Sequence, residues 1–224
     1  MGLQVLRPIQ KMCTEGVRGP RGENMRVLVA CERSGRVRDA FRKRGHDAVS
    51  CDILPSDAGE PHITGDVLQV LGDGWDLMIA HPPCTHLATS GARWFKEKEK
   101  EQREALEFVQ ALLDAPIEKI ALENPVSVIS TRIRKPDQII QPFFFGDGAR
   151  KTTCLWLKNL QPLTPTHVFP LSLYIADEGP IHTTSSGRRI PSWYNLPPSK
   201  DRAKIRSLTF QGFANAMADQ WGEK

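Results

Sequence analysis

From Arg26 to Trp156 the chain alternates short apolar runs with longer stretches whose apolar residues recur at helical spacing. Residues 26–31 form a β-branched and aliphatic run suited to a central strand. Val37, Ala40 and Phe41 then follow at a helical period that Gly45 closes. Strand-like runs return at 47–53, within 76–87, at 117–122 and after the basic loop of Arg150 and Lys151, where 153–157 is apolar again. Between them lie a short amphipathic piece at 67–71 and a charge run at 96–104. Leu106, Val109, Ala111, Leu112 and Leu113 continue that run at helical period, which makes it the solvated face of a helix. Residues 209–221 read as a last amphipathic helix with Phe210, Phe213, Ala214, Met217 and Trp221 on one face. Strands and helices in alternation predict an α/β fold, a mostly parallel sheet with helices on both faces.

Composition narrows this picture. A chain of 224 residues, 40% of them hydrophobic, is ample for one core, so residues 25–224 are expected to form a single domain. Residues 1–24 scatter Pro8, Gly16, Gly19, Pro20 and Gly22 among basic side chains and lack the apolar core of a signal peptide. They read as a flexible extension, with Met25 as an alternative start. A net charge of +4 favours a polyanionic partner, although a slightly basic soluble surface fits equally well. Five cysteines without regular spacing argue against a disulfide framework and suit a reducing cytosol. No apolar segment reaches membrane-spanning length, so a cytoplasmic protein without membrane contact is expected.

The candidate chemistry centres on residues 76–87. An apolar run ends in Pro82-Pro83, each proline fixing φ and removing a backbone donor, and Cys84 follows at a strand's carboxyl end, the edge of an open α/β sheet where ligands bind. Three readings compete for Cys84. It is a small buried hydrophobe beside a turn, a metal ligand with His81 and His86, or a nucleophile. The metal reading lacks a second cysteine-histidine pair anywhere in the chain. The nucleophile reading needs a partner, and Glu123-Asn124-Pro125 at the end of the 117–122 run supplies one. Upstream, Glu32, Ser34 and Gly35 form a turn before a helix, whose free amides suit a ligand. Asp52 ends the second strand, placed either to accept hydrogen bonds from ribose hydroxyls or to cap a turn near Pro55. Arg132, Arg134, Lys135 and the aromatic run 143–145 suit either phosphate contact and base stacking or core packing beside a solvated basic loop.

The order Val27-Leu28-Val29-Ala30-Cys31-Glu32-Arg33-Ser34-Gly35, Cys51-Asp52-Ile53, Gly65-Asp66-Val67, Pro82-Pro83-Cys84 and Glu123-Asn124-Pro125 resembles the DNA (cytosine-5) methyltransferases, most of all their short phage and prophage members. The resemblance covers residues 26 to about 158. It implies a Rossmann-like fold that binds S-adenosyl-L-methionine through Glu32, Ser34, Gly35, Asp52, Ile53, Asp66 and Pro82, without a metal. It also implies that Cys84 adds to carbon 6 of cytosine, that Glu123, protonated or sharing a proton, supports ring nitrogen 3, that Asn124 fixes the loop or contacts the base, and that Arg150 helps position them. The loop of residues 85–94 is implied to close over an extruded base, and Gln211-Gly212 with Asn215 is similar to the family's last motif. The implied partner is DNA, duplex or single-stranded. Residues 159–206 are too short for the family's target-recognition domain, so recognition is expected to be reduced or aided by a partner protein. A binding module that has lost turnover, or an enzyme acting on another pyrimidine, fits the same motifs.

Overall fold

The computed structural model describes residues 24–167, 181–183, 185–187, 189–191, 199 and 207–223. The expected N-terminal extension, Asn24 apart, and most of the reduced recognition interval lie outside the described residues.

Strands β1 (Arg26–Ala30), β2 (Asp47–Asp52), β3 (His62–Thr64), β4 (Leu77–Ala80), β5 (Lys119–Pro125), β6 (Gln138–Ile140) and β7 (Thr153–Lys158) form one sheet in the order β3-β2-β1-β4-β5-β7-β6. Only β7 runs against the others, pairing antiparallel with both β5 and β6. Helices α1 (Arg36–Arg42), α2 (Glu99–Leu113), α3 (Ile129–Arg132) and α4 (Gln211–Trp221) accompany it, and β8 (Ile181–Thr183) and β9 (Arg189–Pro191) form a separate hairpin. This sheet order with its single reversed strand is a Rossmann-like α/β fold. Among the described residues no helix is long and apolar enough to cross a membrane.

Strand side chains alternate between two buried faces, which is why the strands read as continuous apolar runs. Val27, Val29, Leu77, Ile79 and Ala121 pack with Val37 and Phe41 of α1 and with Phe213, Met217 and Trp221 of α4. Leu28, Ala30, Met78, Ala80, Ile120 and Leu122 pack on the other face with Val109 and Leu112 of α2. Two strands of the seven-stranded sheet have no counterpart in the sequence reading, nor has the β8–β9 hairpin. β3 and β6 are three residues long, too short to display a period, and lie at the two edges of the sheet. β5 also runs past its apolar stretch, because β7 continues the ladder through Glu123↔Leu155, Asn124↔Cys154 and Pro125↔Thr153. The 143–145 aromatics serve packing in part: the Phe145 ring lies 5.6 Å from Phe213, and Arg134 is tied to Asp137 and to the Leu157 carbonyl.

The sheet order reverses between β1 and β4, so the loops leaving those strands flank the crevice where such folds bind ligands. The loop after β4 is stapled to the loop after β5: Thr89 donates its amide and its hydroxyl to the Val126 carbonyl, and Val128 N donates to Leu87 O. Helix α4 begins at Phe210, which offers no side-chain cap. Asp147 substitutes from a distance, accepting from Gly212 N and Phe213 N at 3.2 Å each. A Cβ on Gly212 would collide with the Phe145 carbonyl oxygen. Gly to Ala within a helix ordinarily stabilises, but here overpacking against backbone reverses the sign. Gly212→Ala is expected to cost about 1–3 kcal/mol, read from denaturant unfolding of the full chain.

Candidate active site

The turn between β1 and α1 shows how the chain treats its own helix start. Glu32 is buried, and its carboxylate accepts from Val37 N at 2.8 Å, Arg38 N at 3.1 Å and the Ser34 hydroxyl at 3.1 Å. Ser34 Oγ in turn accepts from Arg36 N at 3.3 Å. The amides expected to meet a ligand are therefore occupied by the chain's own carboxylate and hydroxyl, which fill the place an anion would take. Gly35 has φ of 73°, and a Cβ there would press on Arg38 Nη2 at 2.7 Å and Ala58 Cβ at 2.8 Å. Its small size thus serves the Arg38 guanidinium, which is wholly buried and donates to the carbonyls of Gly59, Pro61 and Ala58. Glu32, Ser34 and Gly35 act on the loop from within.

Beyond the carboxyl ends of β1, β2 and β3, two acids gather. Asp52 Oδ1 accepts from Leu54 N at 2.9 Å, the turn-capping role, and Asp66 Oδ1 accepts from Leu68 N at 3.0 Å to cap a 3-10 turn over Val67–Gln69. Their closeness shows in Cys31, which sits in the left-handed region at φ of 58°. Burial first, then the charges of Asp52, Cys51 and Asp66, push its thiol up to about 12. Burial and the same two carboxylates push Cys51 up to about 11. Ile53 stands beside Asp52 with 76% of its surface exposed, and Leu54 and Leu68 are exposed as well. Each carboxylate spends one oxygen on its turn, so the second oxygens and the exposed aliphatic surface fit a ligand with hydroxyls and a flat apolar ring.

The other half of the site forms at the ends of β4 and β5. Their parallel register ends on Ala80↔Leu122, so the next residues, His81 and Glu123, come side by side. His81 Nδ1 lies 3.2 Å from Glu123 Oε2. One residue further, Asn124 Nδ2 donates to the Pro82 carbonyl at 2.9 Å from a fully buried position. The bond holds the Pro-Pro turn against β5 just before Cys84, whose own carbonyl accepts from Leu87 N and Ala88 N to start the following turn. Of the four described cysteines Cys84 alone is exposed, which removes the buried-hydrophobe reading. Cys154 is buried and pushed up, by burial and then by Glu123. Among the described residues no three His, Cys, Asp or Glu side chains gather as a metal-ligand group, and His81 is engaged by Glu123 instead.

The protonation of Glu123 is set by its neighbours as well as by burial. Burial pushes its carboxyl up, but the His81 hydrogen bond, the Lys151 charge and the His81 charge together outweigh burial, and it lies below its ordinary value. Arg150 is exposed, and Lys151 is the neighbouring cation that bears on Glu123. Glu123 and Lys151 line a pocket with Thr153, Phe210 and Phe213, between the sheet and the start of α4. Two polar atoms at the site, His81 Nε2 and Asn124 Oδ1, are buried without a hydrogen-bond partner among the described residues. Sequence reading missed the roles of His81 and Lys151. The signal for His81 was its place directly after β4, but it becomes informative only with the β4–β5 register.

No protein-family model matches the chain, and no curated protein matches it. A solved structure similar to it is described as a candidate DNA modification methyltransferase encoded within a prophage of E. coli, at 12% identity and a TM-score of 0.45. The match covers 66% of this chain and 52% of that one. This chain spans about half the length of that protein.

Two outcomes test the site's internal bonding. Glu32→Ala removes a buried acceptor from two helix-start amides, and a loss of roughly 2 kcal/mol or more is expected in denaturant unfolding. The folded Glu123 carboxyl lies below its unfolded value. Ionised Glu123 therefore favours the fold above the unfolded glutamate range, and that contribution is lost as pH falls through the folded value. Unfolding of the wild type and of Glu123→Gln, compared from about pH 7 down to about pH 3, is expected to show an advantage of the wild type that shrinks toward acid.

Proposed function

We propose that the protein transfers a methyl group from S-adenosyl-L-methionine to carbon 5 of cytosine in DNA, through a covalent adduct on Cys84. The observation that carries this reading is the joint between the ends of β4 and β5. An exposed cysteine follows a Pro-Pro turn that Asn124 holds by the Pro82 carbonyl, and the half-buried carboxylate of Glu123 stands on the neighbouring strand. The order of motifs from Glu32 to Asn124 and the net charge of +4 agree with it.

Carbon 5 of cytosine is too weak a nucleophile to take a methyl group directly. The Cys84 thiolate bonds to carbon 6 and pushes electrons toward carbon 5 and ring nitrogen 3, where Glu123 supports the developing charge with a proton. Asn124 keeps the Cys84 turn in place, and Lys151, with Arg150 beside it, supplies positive charge at the mouth of the Glu123 pocket. Loss of the carbon 5 proton then expels Cys84 and restores the ring. When bound, S-adenosyl-L-methionine supplies an electrophilic methyl group on a sulfonium. Asp52, Ile53, Asp66 and Pro82 would hold it, while Glu32, Ser34 and Gly35 shape the β1–α1 loop. A base stacked in a duplex is out of reach, so the protein extrudes it at a cost of a few kcal/mol or works on single strands.

Incubation with DNA carrying 5-fluorocytosine is expected to trap the protein covalently, because fluorine cannot leave carbon 5 as a cation, and mass spectrometry is expected to place the adduct on Cys84. Cys84→Ser is expected to abolish trapping and methylation, since a hydroxyl is a far poorer nucleophile at neutral pH. Methylation by Cys84→Ser at near the wild-type rate would overturn the reading. Asp52→Ala is expected to weaken cofactor binding about tenfold in calorimetry, the scale of a lost hydrogen bond to a charged group, with the fold unchanged.

A further inference from the structure

Cytosine nitrogen 3 is a hydrogen-bond acceptor, so a carboxyl group that supports it must carry a proton. Glu123 is placed among groups that take that proton away. His81 faces it from the end of β4, Lys151 from the segment before β7, and Cys154 lies on β7 as the ladder partner of Asn124. The carboxylate is left ionised by His81 and Lys151, while buried Cys154 stays a thiol. The nearest store of a transferable proton is the imidazole. Nδ1 is 3.2 Å from Oε2, and the two side chains are only 11% and 16% exposed. His81 Nε2 is buried with no hydrogen-bond partner among the described residues. A buried ring nitrogen left unsatisfied is unfavourable in a site that is only structural, and it points to a role for the ring's other side.

We infer that His81 is a positioning residue that stores the proton Glu123 delivers to the pyrimidine ring. This rests on the proposed roles of Cys84 and Glu123. As a lone pair of Cys84 Sγ bonds to carbon 6, the carbon 5–carbon 6 π pair shifts to carbon 4–carbon 5. The carbon 4–nitrogen 3 π pair moves onto nitrogen 3, and the single proton of the His81–Glu123 pair passes from His81 Nδ1 to the Glu123 carboxylate and on to nitrogen 3, leaving His81 neutral and Glu123 ionised. When the carbon 4–nitrogen 3 double bond is re-formed, the proton returns to the pair. His81 touches neither the base nor the sulfur and acts only through Glu123.

The full chain with His81→Asn, which keeps a donor near the place of Nδ1 but stores no proton, separates this role from packing; His81→Ala removes the donor as well. The first measurement needs no DNA. In carboxyl 13C NMR, with Glu123 assigned through Glu123→Gln, the Glu123 carboxyl is expected to titrate at higher pH in both variants, because the charge that held it down is gone. The second follows trapping on 5-fluorocytosine DNA against pH. In His81→Asn the alkaline limb is expected to move to lower pH, with a rate about tenfold or more below wild type at pH near 8 and a smaller deficit near pH 6, the scale of a lost proton-transfer partner. Cofactor and DNA affinities are expected to stay within about twofold, the mark of a group acting on the reaction and not on binding. A Glu123 titration that does not move, or a His81→Asn pH profile parallel to the wild type, would overturn the inference. If the wild type itself fails to trap DNA, the role of Cys84 fails, and the Glu123 titration still decides whether His81 holds its proton.

Discussion

The parallel register of β4 and β5 is the constraint on which the site depends. With Ala80 opposite Leu122, the next two pairs set His81 beside Glu123 and Pro82 beside Asn124. Successive side chains of a strand leave on opposite faces. Glu123 shares the face of Ala121 and lines the pocket with Phe213, while Asn124 shares the face of Leu122 and secures the Pro-Pro turn. A slip of one residue would exchange these two roles and undo both.

The reversed strand β7 completes this arrangement. Its antiparallel ladder carries β5 beyond its apolar stretch and so keeps Glu123 and Asn124 in regular strand geometry. The segment entering β7 also brings Lys151 to Glu123. From the other side Asp147 anchors the start of α4, and Phe145 packs against Phe213, which lines the pocket. A carboxylate surrounded in this way is a held group, and its protonation is decided by its neighbours as much as by its burial.

The β1–α1 turn uses the opposite device. Fold analogy treats such a helix start as a ready anion site, yet Glu32 already supplies the anion. The turn is held by its own hydrogen bonds, and Arg38 ties it to the loop that leads to β3. Asp52 and Asp66 each use one oxygen to cap their own turns, and the Ile53 side chain is exposed beside them.

Local pattern alone determined the α/β alternation, the strands β1, β2, β4, β5 and β7, the helices α1, α2 and α4, and the placing of Cys84 past a strand's end. Those features arise from hydrophobic period and from proline and glycine stops, which act over a few residues and are written in order along the chain. Tertiary structure alone decided which residue meets which. The partners of Glu123 lie 42 residues upstream, at His81, and in the segment before a strand that runs backwards. Asp147 caps a helix 65 residues later. No local composition marks such pairs, because a histidine after a strand or an aspartate in a loop has the same sequence signature whatever it touches. Edge strands of three residues were hidden for a related reason: their conformation comes from the neighbour they pair with, and pairing across the chain leaves no period within it.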